Sequence, residues 1–270
     1  MKYLQTGQFF GETDQTFLLD GITLTDTEYT IEKVDWHYHE NPYFTFIVRG
    51  NLIEGNKQNT HHCSTGTLLF HNWQEAHFNL KPEGYTRGFQ LEMKADWFAE
   101  FDLDLNFFPS YSNVANPSIK LFFHNIYKET KLFGKHSSLA VEELLLNIFG
   151  ELGKLKKFDE TKKPLWVKKI DEIFRANISE EISLQKISQE LNLHPIYLCR
   201  TFSKFFGCNF GQYLRKIKVE KSLKLLQNNS LSLTEISFAS GFSDQSHFIR
   251  CFKEFMKLTP KEYRKFVSNS

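Results

Sequence analysis

Apolar residues along this chain follow two different periods. From about residue 15 to 95 they come in short runs such as Tyr43–Val48 and Thr67–Phe70, rich in aromatic and β-branched side chains, with Gly50, Gly55, Gly66 and Gly84 between them. Short strands between turn signals predict an antiparallel barrel or sandwich. From Pro117 the spacing lengthens. Ile119, Phe122, Phe123, Ile126 and Tyr127 fall on one helix face, and a second helix follows with Leu139, Leu144, Leu145, Ile148, Phe149 and Leu152 apolar. Joined through Gly134, the two predict an antiparallel pair that either covers the β-rich part or forms a dimer interface. Residues 154–163 (KLKKFDETKK) hold almost no apolar side chains and end at Pro164, as a linker does. Everything beyond reads as helix. The pattern therefore predicts an α+β protein of two domains. Residues 1–157 are β-rich with a helical pair over about 117–155, residues 158–164 are a linker, and residues 165–270 are all-α.

The all-α part repeats itself. Leu184–Gly207 and Leu233–Lys257 align, with Ile187 and Ser188 matching Ile236 and Ser237 at an offset of 49. Arg200, Phe202 and Tyr213 match Arg250, Phe252 and Tyr263 at an offset of 50, so the second copy holds one extra residue in its turn or at the start of its second helix. Each copy reads as a helix-turn-helix. Ser183 and Ser232 are N-caps, because their hydroxyls accept from free backbone N–H groups. Asn192 and Gly241 stand where the turn needs a left-handed backbone. Ser188 and Ser237 are small enough for two helices to cross closely. The second helices start near Pro195, favoured at a first helical position, and at Ser243, a capping residue. Leu198, Phe202 and Phe205 in one copy, and Phe248, Phe252 and Phe255 in the other, mark the buried stripe. Ile196, Cys199 and Arg200, and Gln245, Ser246 and Arg250, lie on other faces, free to meet a partner. Between the copies, Tyr213–Leu226 reads as a basic amphipathic helix. Its Leu214, Ile217 and Leu225 join the two units, while Arg215, Lys216 and Lys218 are available to phosphates.

Charge distribution strengthens this reading where total charge does not. The 270 residues carry a net +1, but from Leu165 onward 17 Lys and Arg stand against 10 Asp and Glu, a net +7. The preceding part carries 16 against 22, a net −6. A basic all-α part beside an acidic β-rich part fits one nucleic-acid-binding domain joined to one that avoids nucleic acid. No apolar run reaches the length of a signal peptide or a membrane span. Cys63, Cys199, Cys208 and Cys251 lack metal-type spacing, and three fall in predicted helices. They read as reduced thiols of a cytoplasmic protein.

Gly241-Phe242-Ser243-Asp244-Gln245-Ser246-His247-Phe248, then Phe252-Lys253, Thr259-Pro260 and Tyr263-Arg264, resemble the AraC/XylS family of bacterial regulators over about residues 165–266. The resemblance implies base contacts from Ile196, Cys199 and Arg200 in the first unit and from Gln245, Ser246 and Arg250 in the second. Lys204 and Lys253 join the phosphate-contacting set with Arg215, Lys216 and Lys218. It also implies promoter DNA and RNA polymerase as partners, activation of transcription, a small-molecule effector and a homodimer. His194 departs from the Ser or Thr usual in the family, which predicts a weaker cap there. Ile196 and Cys199 are poor hydrogen-bonding readers, so more discrimination is expected from Arg200 and the second unit.

In the β-rich part, His37-Tyr38-His39, Gly50, Gly66 and His77 resemble a cupin barrel, the sensor that many regulators of this family carry. His37 and His39 point to one strand face, as two metal ligands need. The acidic ligand usual in that fold is missing, since Tyr43 and Phe44 hold its positions. The expectation is therefore a site without metal or cofactor, with a three-histidine site at His37, His39 and His77 as the alternative. Trp36, His37, His39, Phe46, Trp73 and His77 are the candidate lining of an effector pocket. Three other readings compete: a cupin-type metalloenzyme with an accessory DNA-binding module, a DNA-binding dimer that senses nothing, and a methyl-accepting repair protein. The missing acid, and the lack of a paired base and nucleophile, speak against catalysis. A lone Cys63 without a cysteine cluster speaks against repair.

Overall fold

The computed structural model describes residues 1–103, 112–132, 134, 136–156, 164–176 and 182–268. Packing divides the chain into two compact units, Met1–Asn116 with Ile126–Leu144, and Pro117–Asn125 with Leu145–Ser270. Most of the expected linker, residues 158–163, lies outside the described residues.

The described residues of the first unit form eleven strands: β1 (Lys2–Leu4), β2 (Glu12–Leu19), β3 (Ile22–Glu28), β4 (Lys33–His39), β5 (Tyr43–Arg49), β6 (Asn51–Gly55), β7 (Thr60–Ser64), β8 (Leu68–His71), β9 (His77–Leu80), β10 (Arg87–Met93) and β11 (Ser112–Asn113). They form a five-stranded sheet in the order β1-β4-β9-β6-β7 and a six-stranded sheet in the order β11-β8-β5-β10-β3-β2. Of the antiparallel barrel or sandwich expected, the structure shows the β-rich unit as two sheets. There are two open sheets, and β1 runs parallel to β4. Alternation along a strand reveals its two faces but not which edges meet. Here one sheet ends at the two-residue β11 and at β2, whose side chains are mostly exposed. Central β10 is buried at all seven positions, and β5 at its first five. A short helix, α1 (Ala95–Glu100), follows β10 and buries Trp97 and Phe98.

Helices α2 (Pro117–Lys131) and α3 (Ser137–Lys156) stand where the apolar spacing places them. The predicted stripe of α2 is buried at Ile119, Phe123, Ile126 and Tyr127. Burial goes further than one face, because Lys120, Leu121 and His124 are also buried. The Lys120 ammonium lies 3.2 Å from the Glu220 carboxylate, and Asn125 Nδ2 donates to the Phe255 carbonyl at 3.1 Å. These polar partners allow non-stripe positions to leave water. In α3, Val141, Leu145, Ile148 and Phe149 are buried, whereas the expected Leu139 is 64% exposed.

Among the described residues, the rest of the second unit forms seven helices: α4 (Leu165–Ala176), α5 (Leu184–Glu190), α6 (Pro195–Phe206), α7 (Phe210–Leu225), α8 (Leu233–Ala239), α9 (Gln245–Met256) and α10 (Pro260–Ser268). They enclose two apolar cores. The first gathers Trp166, Ile170, Phe174, Ile187, Leu198 and Phe202. The second gathers Ile236, Phe242, Phe248, Phe252, Met256 and Tyr263. Helix α7 serves both, sending Tyr213 and Ile217 into the first and Val219 and Leu223 into the second. No helix among the described residues is long and apolar enough to cross a membrane.

Candidate nucleic-acid interface

Two helix pairs, α5 with α6 and α8 with α9, repeat one local design. Ser183 Oγ accepts from Lys186 N at 3.2 Å, and Ser232 Oγ accepts from Glu235 N at 3.2 Å. The second start is stronger, because Glu235 reaches back to Ser232 N at 2.7 Å and closes a capping box. Asn192 and Gly241 take φ of +53° and +84°, the left-handed backbone expected of them. Ser188 and Ser237 are buried. The inter-helix segments run 191–194 and 240–244, so the extra residue of the second copy lies in its turn. The two following helices are then equal, at 12 residues each.

The caps of α6 and α9 refine the sequence reading. His194 does cap α6, its Nδ1 accepting from Ile196 N at a long 3.3 Å. The cap of α9 is Asp244 rather than the expected Ser243. Its Oδ1 accepts from His247 N at 2.7 Å, and an anionic cap also suits the positive end of a helix. That backbone hydrogen bond holds the Asp244 carboxyl below its ordinary value. Cys208 lies in the turn between α6 and α7 and not in a helix. Replacing Ser232 with alanine should cost about 1 kcal/mol, since both bonds of the box depend on its placement. A denaturation midpoint unchanged from wild type would show that the box does not hold α8.

The outward faces carry the candidate readers. Arg200 is the sixth residue of α6 and Arg250 the sixth of α9, and both are exposed. Ile196, Cys199 and Ser246 are exposed beside them. Gln245 is half-buried, and its Oε1 accepts from Thr234 Oγ1 at 2.6 Å. Helix α8 thus orients the first side chain of α9, which no periodicity in the sequence signals. Tyr197, 46% exposed on α6, was not among the candidates. Of the cations, Lys204 and Lys253 are exposed and Arg215 is half-buried. Lys216 Nζ donates to Ser118 Oγ at 2.7 Å. Lys218 is half-buried, donates to the Gly241 carbonyl and lies over the Phe242 ring, so it ties α7 to the turn before α9.

The N-terminal candidates separate into three groups. Phe46 is fully buried in the core. Trp36 and Trp73 are 39% and 42% exposed, and Trp36 borders an open groove of about 500 Å³ with Phe10, Ile31 and Val34. His37, His39 and His77 converge, because β4 pairs His37 directly with His77 of β9. Two residues that the sequence did not single out join them. Glu54 comes from β6 and His71 from β8 of the other sheet, and they lie 2.9 Å apart. Inward alternation with Leu52 marks Glu54 as a strand carboxylate that faces the interior, which was the available signal. The ligand atoms of His37, His39 and His77 lie within 4.8 Å of one another, as do those of Glu54, His71 and His77.

Burial lowers the pKa of His37, holds that of His39 well below its ordinary value and brings that of His77 down to about 3. Burial is also the largest influence on Glu54 and opposes its charged form, but His71, His77 and His37 together outweigh it and set that carboxyl at about 2. The space bordered by His37, His39, Glu54 and His77 measures about 10 Å³, room for about one water molecule.

Comparison with known proteins agrees with the helical geometry. Residues 187–265 match a family model described as a helix-turn-helix domain. The Msm operon regulatory protein of Streptococcus mutans is 24% identical over 284 aligned residues, which cover 94% of this chain and 97% of that protein. The HTH-type transcriptional regulator GbdR of Pseudomonas aeruginosa is 27% identical over 170 residues, 61% of this chain but only 45% of its own length. A Proteus vulgaris protein described as the probable transcription factor PqrA is 34% identical over 86 residues, 32% of this chain and 70% of its own. The chain belongs to the AraC/XylS family and is a DNA-binding transcriptional regulator.

Proposed function

We propose that the protein reads a specific promoter sequence through two helix-turn-helix units, with α6 and α9 as the helices that enter the major groove. The observation that carries this reading is the equivalence of Arg200 and Arg250. Each is exposed, and each is the sixth residue of a capped 12-residue helix that follows a left-handed turn. An arginine at such a position can bond guanine O6 and N7 together, which gives base discrimination as well as affinity. Ile196, Cys199, Gln245 and Ser246 complete the base-facing set, and Arg215, Lys204 and Lys253 supply phosphate contacts. Two units of this kind fit a site with two boxes about 10 base pairs apart.

Binding-site selection from a random duplex pool at about 150 mM salt tests the reading, because weak phosphate contacts are screened there. Enrichment of a two-box motif is expected, and a pool that stays random would reject base reading. Against the enriched site, Arg250→Ala should weaken binding by about 1–3 kcal/mol and relax one base position. An equal loss on every sequence would move Arg250 to the phosphate set.

The proposal extends to control. A small-molecule effector acts through the N-terminal unit of a homodimer, and the bound state activates transcription with RNA polymerase. The groove beside Trp36 has the volume of a small-molecule site, whereas the histidine cluster does not. An effector that binds only the folded protein must raise its melting temperature, so a metabolite screen by thermal shift finds it.

A further inference from the structure

The histidine cluster is arranged for an ion. Four imidazoles meet in the first unit, with His37 and His77 ring centroids 4.1 Å apart, His71 and His77 4.7 Å, and His39 and His77 5.6 Å. All four rings and Glu54 are buried to 97% or more. Such a concentration of polar groups is costly to bury unless each group is held by a partner. His39 Nδ1 is buried with no hydrogen-bond partner.

Outer partners orient the donors inward. His77 Nδ1 lies 3.0 Å from the Glu75 carbonyl, and His37 Nδ1 lies 2.9 Å from the Asp35 carbonyl. A carbonyl only accepts, so both Nδ1 atoms carry the proton and both Nε2 atoms keep their lone pair. The Tyr43 hydroxyl donates to that same lone pair of His77 at 3.0 Å and must turn away from it when an ion binds. Asn79 Nδ2 donates to Glu54 Oε2 at 2.9 Å, while the other oxygen, Oε1, faces His71 Nε2 at 2.9 Å. Tyr43 stacks on the His71 ring at 4.2 Å and 6°, which fixes its plane. Ligands of known metal centres are held in this way, with the second histidine nitrogen on a carbonyl and the second carboxylate oxygen hydrogen-bonded.

We propose that Glu54, His71 and His77 bind a divalent transition-metal ion, zinc by the preference of this donor set, in the N-terminal unit. Two imidazoles and one carboxylate suit zinc, and the ligand atoms of these three residues lie within 4.8 Å of one another. The Glu54 set is favoured over the three-histidine set because a dry site needs an anion to offset the metal's charge. Glu54 is the buried carboxylate within reach. The site is independent of DNA reading by α6 and α9.

Full-length protein, purified without a polyhistidine tag and stripped by chelator, is titrated with Zn²⁺ and Co²⁺. Wild type is expected to take up about one ion per chain, raise its melting temperature and give Co²⁺ visible bands without thiolate charge transfer. Glu54→Gln and His71→Asn should each lower affinity by more than the roughly 10–100-fold typical of losing an outer partner. The exposed His62→Asn should change nothing. Far-ultraviolet circular dichroism checks that each variant folds, and the wild-type Co²⁺ spectrum decides on its own if one does not. No uptake by wild type overturns the site and leaves Glu54 and His71 as an ion pair. Loss on His39→Asn, with Glu54→Gln and His71→Asn unaffected, overturns the ligand assignment in favour of the three histidines.

Discussion

Asp26→Ala is expected to destabilise the first unit by about 3–5 kcal/mol, the cost of breaking a buried ion pair from one side. Asp26 is 2% exposed on β3, and its two oxygens accept from Arg87 Nε at 2.6 Å and from an Arg87 terminal nitrogen at 2.9 Å. Lys131, the last residue of α2, also contacts this carboxylate. Burial works against the Arg87 guanidinium, but its hydrogen bonds to Asp26 and the charge of that carboxylate, with smaller help from Tyr127 and Tyr85, keep its pKa raised. Alanine would leave two cations beside Asp14, whose side chain is 55% exposed and which is a weaker counter-charge. Three of the four tryptophans, Trp36, Trp73 and Trp97, belong to this unit, so fluorescence during denaturation follows it. Asp14→Ala is the control and should cost no more than about 1 kcal/mol, as solvent-screened pairs do. If both variants shift the midpoint equally, the buried pair contributes nothing of its own.

The second large effect is expected at Phe252. Its ring is fully buried between Phe248 and Tyr263, with centroids at 5.7 and 5.6 Å. Phe252→Ala removes that contact from the core under α9 and should cost about 3–5 kcal/mol. The core of the first helix pair shares no buried residue with this one, so loosening should concentrate in α8 and α9. Specific DNA affinity should fall well beyond the effect of Arg250→Ala, while salt-sensitive non-specific binding through the first pair persists. Phe252→Leu, which keeps most of the volume, should recover the greater part. A Phe252→Ala protein that binds the selected site like wild type would remove α9 from the reading surface.

The helix pairs were legible in the sequence to a degree that the β-rich unit was not. Caps, left-handed turn residues and the extra residue at 240–244 all act within about five positions of chain, so one copy can be laid on the other and checked. Even there, Asp244 replaced Ser243 as the cap, because the longer second turn starts α9 at Gln245 and puts Asp244 at the N-cap, where it accepts from His247 N. Lys218 looked like an exposed cation of a basic helix, yet the carbonyl it serves belongs to Gly241, 23 residues on. Its partner is set by how α7 meets the turn, not by the helix pattern.

For the β-rich unit, alternation located the strands and placed His37 and His39 on one face. It could not order eleven strands into sheets. Sheet order pairs β4 with β9 and β6 with β9, which brings His77 and Glu54 beside His37 from 40 and 17 residues away in sequence. A β-bulge between Val34 and His37 sets the register of that pairing.

The sequence by itself determined what depends on neighbours along the chain: helix starts and stops, turn conformation, strand faces and the repeated arginine. Tertiary structure alone decided the two open sheets, the partner of Lys218, the Asp26 ion pair and the carboxylate that completes the histidine cluster. These are contacts between residues far apart in the chain. Their geometry follows from which edges and faces bury together, and no local period encodes that choice.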